Sequence, residues 1–181
     1  MIMATRTIDA AFGREEWETA RTALRQELAR DPENHWLLTR LAMTYYEQRD
    51  YKKALKISVT ATQIAPGCPL VRWDRACILD MLNQTTTAIA EWKKLLKAGP
   101  SAIGGDECGE GVEWAQSLLN DCRYRIAFSS MDIQDYGSAV RYLRNYLVGR
   151  TRGISSIYDE VDARDKLNIC LAARGSLLNR G

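Results

Sequence analysis

The sequence predicts an all-α chain built from stacked helix–turn–helix units, and three observations carry that prediction. Pro32, Pro66 and Pro100 are evenly spaced. Ala20, Ala54 and Ala88 repeat the same step, each a constant interval ahead of its proline. Between them, apolar residues return at the i, i+3, i+4, i+7 spacing of one helical face, as in Leu38, Leu41, Ala42 and Tyr45. A fixed period of this size, about 34 residues, marks helix pairs that bury their apolar sides against their neighbours. Such stacks present binding surfaces more readily than enclosed catalytic centres.

The first unit, residues 1–32, is clearest in its second half, where Trp17, Ala20, Leu24 and Leu28 precede Asp31-Pro32. Residues 1–13 match the pattern weakly and read as a frayed or degenerate helix. In the second unit, 33–66, HWLLTRLAMTYYEQ gives the first helix and Gln48-Arg49-Asp50 breaks it, with Asp50 placed to cap the next. Ala54, Leu55, Ser58, Ala61 and Thr62 then form a stripe of small residues suited to close helix approach. Pro66 stops that helix, because proline lacks an amide hydrogen and disfavours αR in the residue before it.

The third unit, 67–100, repeats the plan. Trp73, Ala76, Cys77 and Met81 mark its first helix, and Asn83-Gln84-Thr85 its turn. Ala88, Ile89, Trp92, Leu95 and Leu96 line its second helix before Gly99-Pro100. The phase then slips: Cys122 stands where the next alanine is due, and Tyr136 and Ala139 resume the pattern half a period late. Residues 101–119 are read as a glycine-rich insertion and a helix extension on which Ala115, Leu118, Leu119, Cys122 and Ile126 share a face. Residues 120–152 form a fourth unit. Residues 153–181 form a capping helix and tail, with Ile157, Val161, Ala163, Leu167, Cys170 and Leu171 between charges that should leave a polar outer side.

With these residues in hand, the chain resembles the tetratricopeptide repeat family. Leu41-Ala42, Tyr45, Tyr51, Ala54, Ala61 and Pro66 fit that family's pattern in the second unit, and Ala76, Ala88, Trp92 and Pro100 in the third. Ala20 and Pro32 fit the first unit; Ile126-Ala127, Tyr136 and Ala139 fit the fourth. The resemblance covers about residues 14–150. It implies a right-handed α-solenoid of three to four such units with a C-terminal cap, whose leading helices line a concave face that binds a partner without catalysis. Two departures stand out. The inter-helix glycine is missing from units two to four, and Arg72 and Arg75 occupy positions usually apolar.

On the leading helices, the expected partner-binding residues are Trp36, Thr39, Arg40, Met43, Tyr46 and Glu47, then Trp73, Asp74, Cys77 and Asp80 with Met81 beside them. In the fourth unit they are Tyr124, Arg125 and Phe128, flanked by Asp121 and Met131. Aromatic residues and arginine are the usual energetic centres of interfaces, and methionine surfaces adapt to varied shapes. The competing account places Trp36, Trp73 and Phe128 in the core of a slightly rotated helix. A clamp for a terminal carboxylate is disfavoured, because Thr39, Met43, Asp74 and Asp121 stand where that subclass has basic or amide residues, and only Arg125 fits. The expected partner is therefore an internal peptide segment or helix of another protein.

Other chemistry finds little support. Gly104-Gly105-Asp106-Glu107-Cys108-Gly109-Glu110-Gly111 carries acids unsuited to an anion site, at a spacing that misses the calcium-loop pattern. Those acids suit a helix start, and the segment could also act as a partner-contacting lid. His35 is the single histidine and has no sequence neighbour to make it a general base. Arg141, Arg144, Arg150 and Arg152 with Tyr142 and Tyr146 could serve an RNA-binding helical repeat, yet Tyr146 falls on a packing stripe. With 25 basic and 23 acidic residues, net charge +2 singles out neither nucleic acid nor membrane. No apolar run approaches the roughly 18 residues of a spanning helix, and MIMATRTIDAAFG lacks the regions of a secretory leader. The five scattered cysteines form no C-x-x-C pair, which suits reduced thiols in a cytoplasm. The expectation is a cytoplasmic, non-enzymatic scaffold or adaptor without metal or cofactor, a monomer or weak homo-oligomer. The alternatives are a small chaperone or assembly factor, an RNA-binding repeat, or a self-assembly module.

Overall fold

The computed structural model describes residues 2–178, and among them the chain forms nine α-helices and no strand. The helices fall into two compact units, Met1–Asn83 and Gln84–Gly181. The first contains α1 (Ile2–Gly13), α2 (Trp17–Leu28), α3 (His35–Glu47), α4 (Tyr51–Ile64) and α5 (Pro69–Met81). Consecutive helices pack together, and α3 also touches α5, so the leading helices α3 and α5 are neighbours.

Of the two readings of the first segment, a frayed or a degenerate helix, residues 2–13 fit the second, since they form a continuous helix. Ile8 and Ala11 are buried, and Ile8 packs with Leu24, Leu37 and Leu41 into a core shared by α1, α2 and α3. A second cluster joins Ala42, Ala54 and Ile78 across α3, α4 and α5. Ala20, Ala54 and Ala61 are wholly buried, which is why small residues recur there. Beside Ala20, Arg21 is also buried, at 2% exposure. Its guanidinium donates to the Thr44 carbonyl at 3.3 Å and to Gln48 Oε1 at 2.8 Å, pairs with Glu18, and lies 4.8 Å from the Tyr45 ring centroid. It fastens α2 to the end of α3.

The turns explain the missing glycines. Arg49, Asn83 and Gln134 take left-handed backbone conformations with φ near +60°, as does Glu15. At Glu15, Arg49 and Gln134 the next amide reaches back five positions, Glu16 to Ala11, Asp50 to Tyr45 and Asp135 to Ser130, at 2.8–2.9 Å. That is the helix-ending pattern usually built on glycine. Asp50 and Asp135 then cap the following helices by accepting from Lys53 and Ser138 amides.

The second unit contains α6 (Thr85–Gly104), α7 (Val112–Asp132), α8 (Tyr136–Thr151) and α9 (Glu160–Leu178), each packed on the next. Helix α6 breaks at Gly99 (φ 81°) and resumes at Pro100, a residue preorganised for a helix start. Its loop to α7 closes tightly: the Gly111 amide donates to the Gly104 carbonyl at 3.1 Å, and the Asp106 carboxylate accepts from the Cys108 amide. A Cβ on Gly109 would lie 2.3 Å from the Ile103 carbonyl oxygen, so close backbone approach accounts for that glycine.

Ala139, Leu143, Tyr146, Ala163 and Cys170 anchor the core of α7, α8 and α9, with Trp92 fully buried on α6. Helix α9 corrects the expectation of a polar outer side. Ala163, Leu167 and Cys170 pack inward, but Val161, Ile169 and Leu171 are exposed, as is Ile157 before the helix. Five free cysteines, four of them buried, are consistent with thiols used as small apolar residues.

Candidate functional site

The leading helices of the first unit gather most of the expected binding residues. On α3, Trp36 keeps 40% of its surface exposed. Arg40, one turn later, fixes it from beneath. The Arg40 guanidinium bonds Asp9 of α1 at 2.8 Å and lies 4.1 Å from the Phe12 ring centroid and 5.1 Å from that of Trp36. A cation held between two aromatic faces and tethered by a carboxylate restrains the indole. Met43 is half-buried and Glu47 exposed farther along α3; the Thr39 hydroxyl donates to the His35 carbonyl of its own helix at 2.8 Å.

Asp9 and Phe12 were not legible as site residues, since α1 carries so little of the repeat pattern. One signal could have found them: they stand one repeat period before Met43 and Tyr46.

On α5, Trp73, Asp74 and Asp80 are half-buried and Met81 is exposed. Burial pushes the Asp74 carboxyl up to about 7. Two residues expected on this face belong to the packing instead. Cys77 is buried. Tyr46 packs against the Ala42–Ala54–Ile78 cluster, its ring edge-on to Tyr51 at 5.4 Å. Both are displaced because each sits next to a core position in its helix and rotates with it.

The remaining candidates lie in the second unit. Tyr124 is a correction: it is buried, stacks on Tyr158 at 4.1 Å, meets Tyr146 edge-on at 5.4 Å and donates its hydroxyl to Asp162 of α9. Phe128 packs against the same core with Lys166 5.5 Å from its ring centroid, and Arg125 lies 5.2 Å from the Trp92 centroid. The packing of α9 and its leading loop on α7 covers Tyr124 and Phe128, whereas Arg125 lies against α6, an arrangement that the sequence spacing did not reveal.

That packing centres on Asp121, 6% exposed on α7. Its carboxylate accepts from Ser156 Oγ and the Ile157 amide, so the α8–α9 loop is tied to α7. Ser156 Oγ in turn accepts the Tyr158 amide at 3.0 Å, and Tyr146 donates to the Tyr158 carbonyl at 2.6 Å. Burial raises Asp121 to about 6 despite these bonds and the nearby Arg150 charge. Burial and the Asp162 carboxylate raise Tyr124, whereas Lys166 and Tyr124 hold Asp162 low.

The tetratricopeptide repeat family model matches residues 11–72, from within α1 to within α5. Among solved structures, a crystal structure of MamA superposes with a TM-score of 0.71 at 13% identity, covering 96% of this chain and 82% of that one. The MamA 41-to-end chain from Desulfovibrio magneticus RS-1 gives 0.53 at 13% identity, over 96% of this chain and 94% of its own. A tetratricopeptide repeat protein from Parabacteroides merdae ATCC 43184 gives 0.52 at 15% identity, over 98% and 75%. No curated protein matches the chain by sequence. At these identities the likeness is one of fold. No helix among the described residues is long and apolar enough to cross a membrane.

Proposed function

We propose, on the match of the tetratricopeptide repeat family model to residues 11–72, a non-enzymatic scaffold that holds a segment of a partner protein on the α3–α5 face of its first unit. The repeat fold is one of protein interaction. The observation that carries the site is Trp36, exposed yet backed by Arg40, which Asp9 and Phe12 in turn hold in place. Large aromatics so ordered are typical binding anchors. Thr39, Met43, Glu47, Trp73, Asp74 and Asp80 complete the contact set, and Tyr46 and Cys77 support it from within.

Selection of a displayed random peptide library on the intact protein tests this reading. Peptides recovered by the wild type should be lost from a variant carrying Trp36→Ala and Trp73→Ala that keeps its helical circular dichroism. Undiminished binding by that variant would refute the site, and salt-sensitive capture of RNA in place of peptide would favour the nucleic-acid alternative.

A second reading rests on α9, whose Val161, Ile169 and Leu171 are exposed. They favour an assembly role in which this surface is covered by another protein. Light scattering of the wild type against Val161→Asp/Ile169→Asp separates self-association from a monomeric scaffold.

A further inference from the structure

Folding leaves a carboxylate uncompensated on the proposed face. Several other half-buried or buried acids have internal partners, among them Asp50 with Lys53, Glu91 with Lys94, Asp106 with the Cys108 amide, Asp121 with Ser156, and Asp162 with Lys166 and Tyr124. Asp74, half-buried on α5, makes no hydrogen bond or ion pair among the described residues, and burial alone accounts for its raised carboxyl pKa. A half-buried carboxylate with no partner in its own chain is less well solvated than in the unfolded state, so it gains when a cationic group arrives.

The repeat shows how the vacancy arises. Asp74 stands one repeat period after Arg40, and Met43 stands one period after Asp9. Where α3 and α1 exchange an ion pair, Arg40 with Asp9, the next rung has exchanged the cation for an acid and the acid for a thioether. Arg40 is committed to Asp9, so the polarity of this rung is reversed and unanswered.

We propose that Asp74 receives a lysine or arginine side chain of the bound partner segment, next to an apolar residue that covers the exposed indole of Trp36. The face is therefore selective for basic-apolar peptides. This rests on the proposed docking face and adds the chemistry of its occupant: the carboxylate supplies a charge-assisted hydrogen bond that becomes stronger as the segment excludes water. Glu47, exposed on α3, adds negative charge on the same helix as Trp36.

The test uses a random dodecapeptide display library on the full chain, with Asp74→Asn and Asp74→Lys beside the wild type. Wild-type pools should be enriched in lysine or arginine adjacent to apolar residues. Asp74→Asn should lose that enrichment and bind the selected basic peptides about 10- to 100-fold more weakly, and Asp74→Lys should select acidic residues. Asp74→Asn should also melt no lower than the wild type at pH 8, since it removes an unpaired charge. Wild-type pools without basic enrichment, or identical pools from all three proteins, would overturn the assignment of Asp74 while leaving the docking face standing. A markedly lower melting temperature for Asp74→Asn would overturn it by showing an internal role. No peptide recovered by any of the proteins would overturn the docking face itself.

Discussion

Replacing Asp121 by asparagine should change how the stability of this protein depends on pH, in a direction opposite to that of most carboxylates. The Asp121 carboxyl rises from 3.8 to about 6 on folding, because burial outweighs the hydrogen bonds from Ser156 and Ile157. A folded-state value above the unfolded one means that the native protein holds the extra proton. Asp121 therefore imposes no ionisation penalty below about pH 4. The penalty develops as pH rises through about 6, reaching roughly 3 kcal/mol for a rise of that size. Asparagine keeps an oxygen to accept from Ser156 and carries no charge to desolvate. The wild type and Asp121→Asn should thus be nearly equal in stability at pH 4, and the variant should melt roughly 6–12 °C higher at pH 7.5. Thermal unfolding followed by circular dichroism across that range provides the difference curve. Taking the difference removes groups such as Asp162, whose lowered carboxyl acts in the opposite sense. A difference that stays flat from pH 4 to 7.5 would refute the claim that ionised Asp121 is a cost to the fold.

Two further substitutions probe close packing. A Cβ on Gly149 would lie 2.4 Å from Asn120 Oδ1, and buried Asn120 is itself bonded to the Tyr146 carbonyl at 3.3 Å. Gly149→Ala should cost about 1–3 kcal/mol in urea unfolding, and Asn120→Ala in the same chain should recover part of it by making room. Arg21→Met keeps much of the side-chain volume but leaves the Thr44 carbonyl and Gln48 without their donor. It should lower the urea midpoint by an amount equivalent to about 1–3 kcal/mol.

What could be read from the sequence was what repeats. Ala20, Ala54 and Ala88 are all wholly buried, because a helix pair tolerates only a small residue where its backbones approach. Trp36, Arg40 and Asp74 could be placed on the leading helices from the same phase. The interactions missed are those joining residues far apart in sequence. Asp121 meets Ser156 across 35 positions, and Arg21 meets Thr44 across 23. Arg21 follows a core alanine and reads as a solvated charge until α3 closes over it. Helix α1 matched the repeat only weakly, because Ile8 and Ala11, its buried side chains among the described residues, are too few to show a period. Tyr124 occupied the right position by register, yet its surroundings depend on α9, which no repeat rule places.

The left-handed turn residues inside each unit have a consequence for how the fold comes apart. Glu15, Arg49 and Gln134 hold a conformation that costs a non-glycine residue on the order of 1 kcal/mol. Nothing in their own chemistry favours it, so each reversal is imposed by the helices on either side. When one of those helices lifts away, the strain at its connector relaxes and helps the departure. Opening is thereby biased to proceed in whole-helix steps, with every such connector acting as a small spring set against its pair.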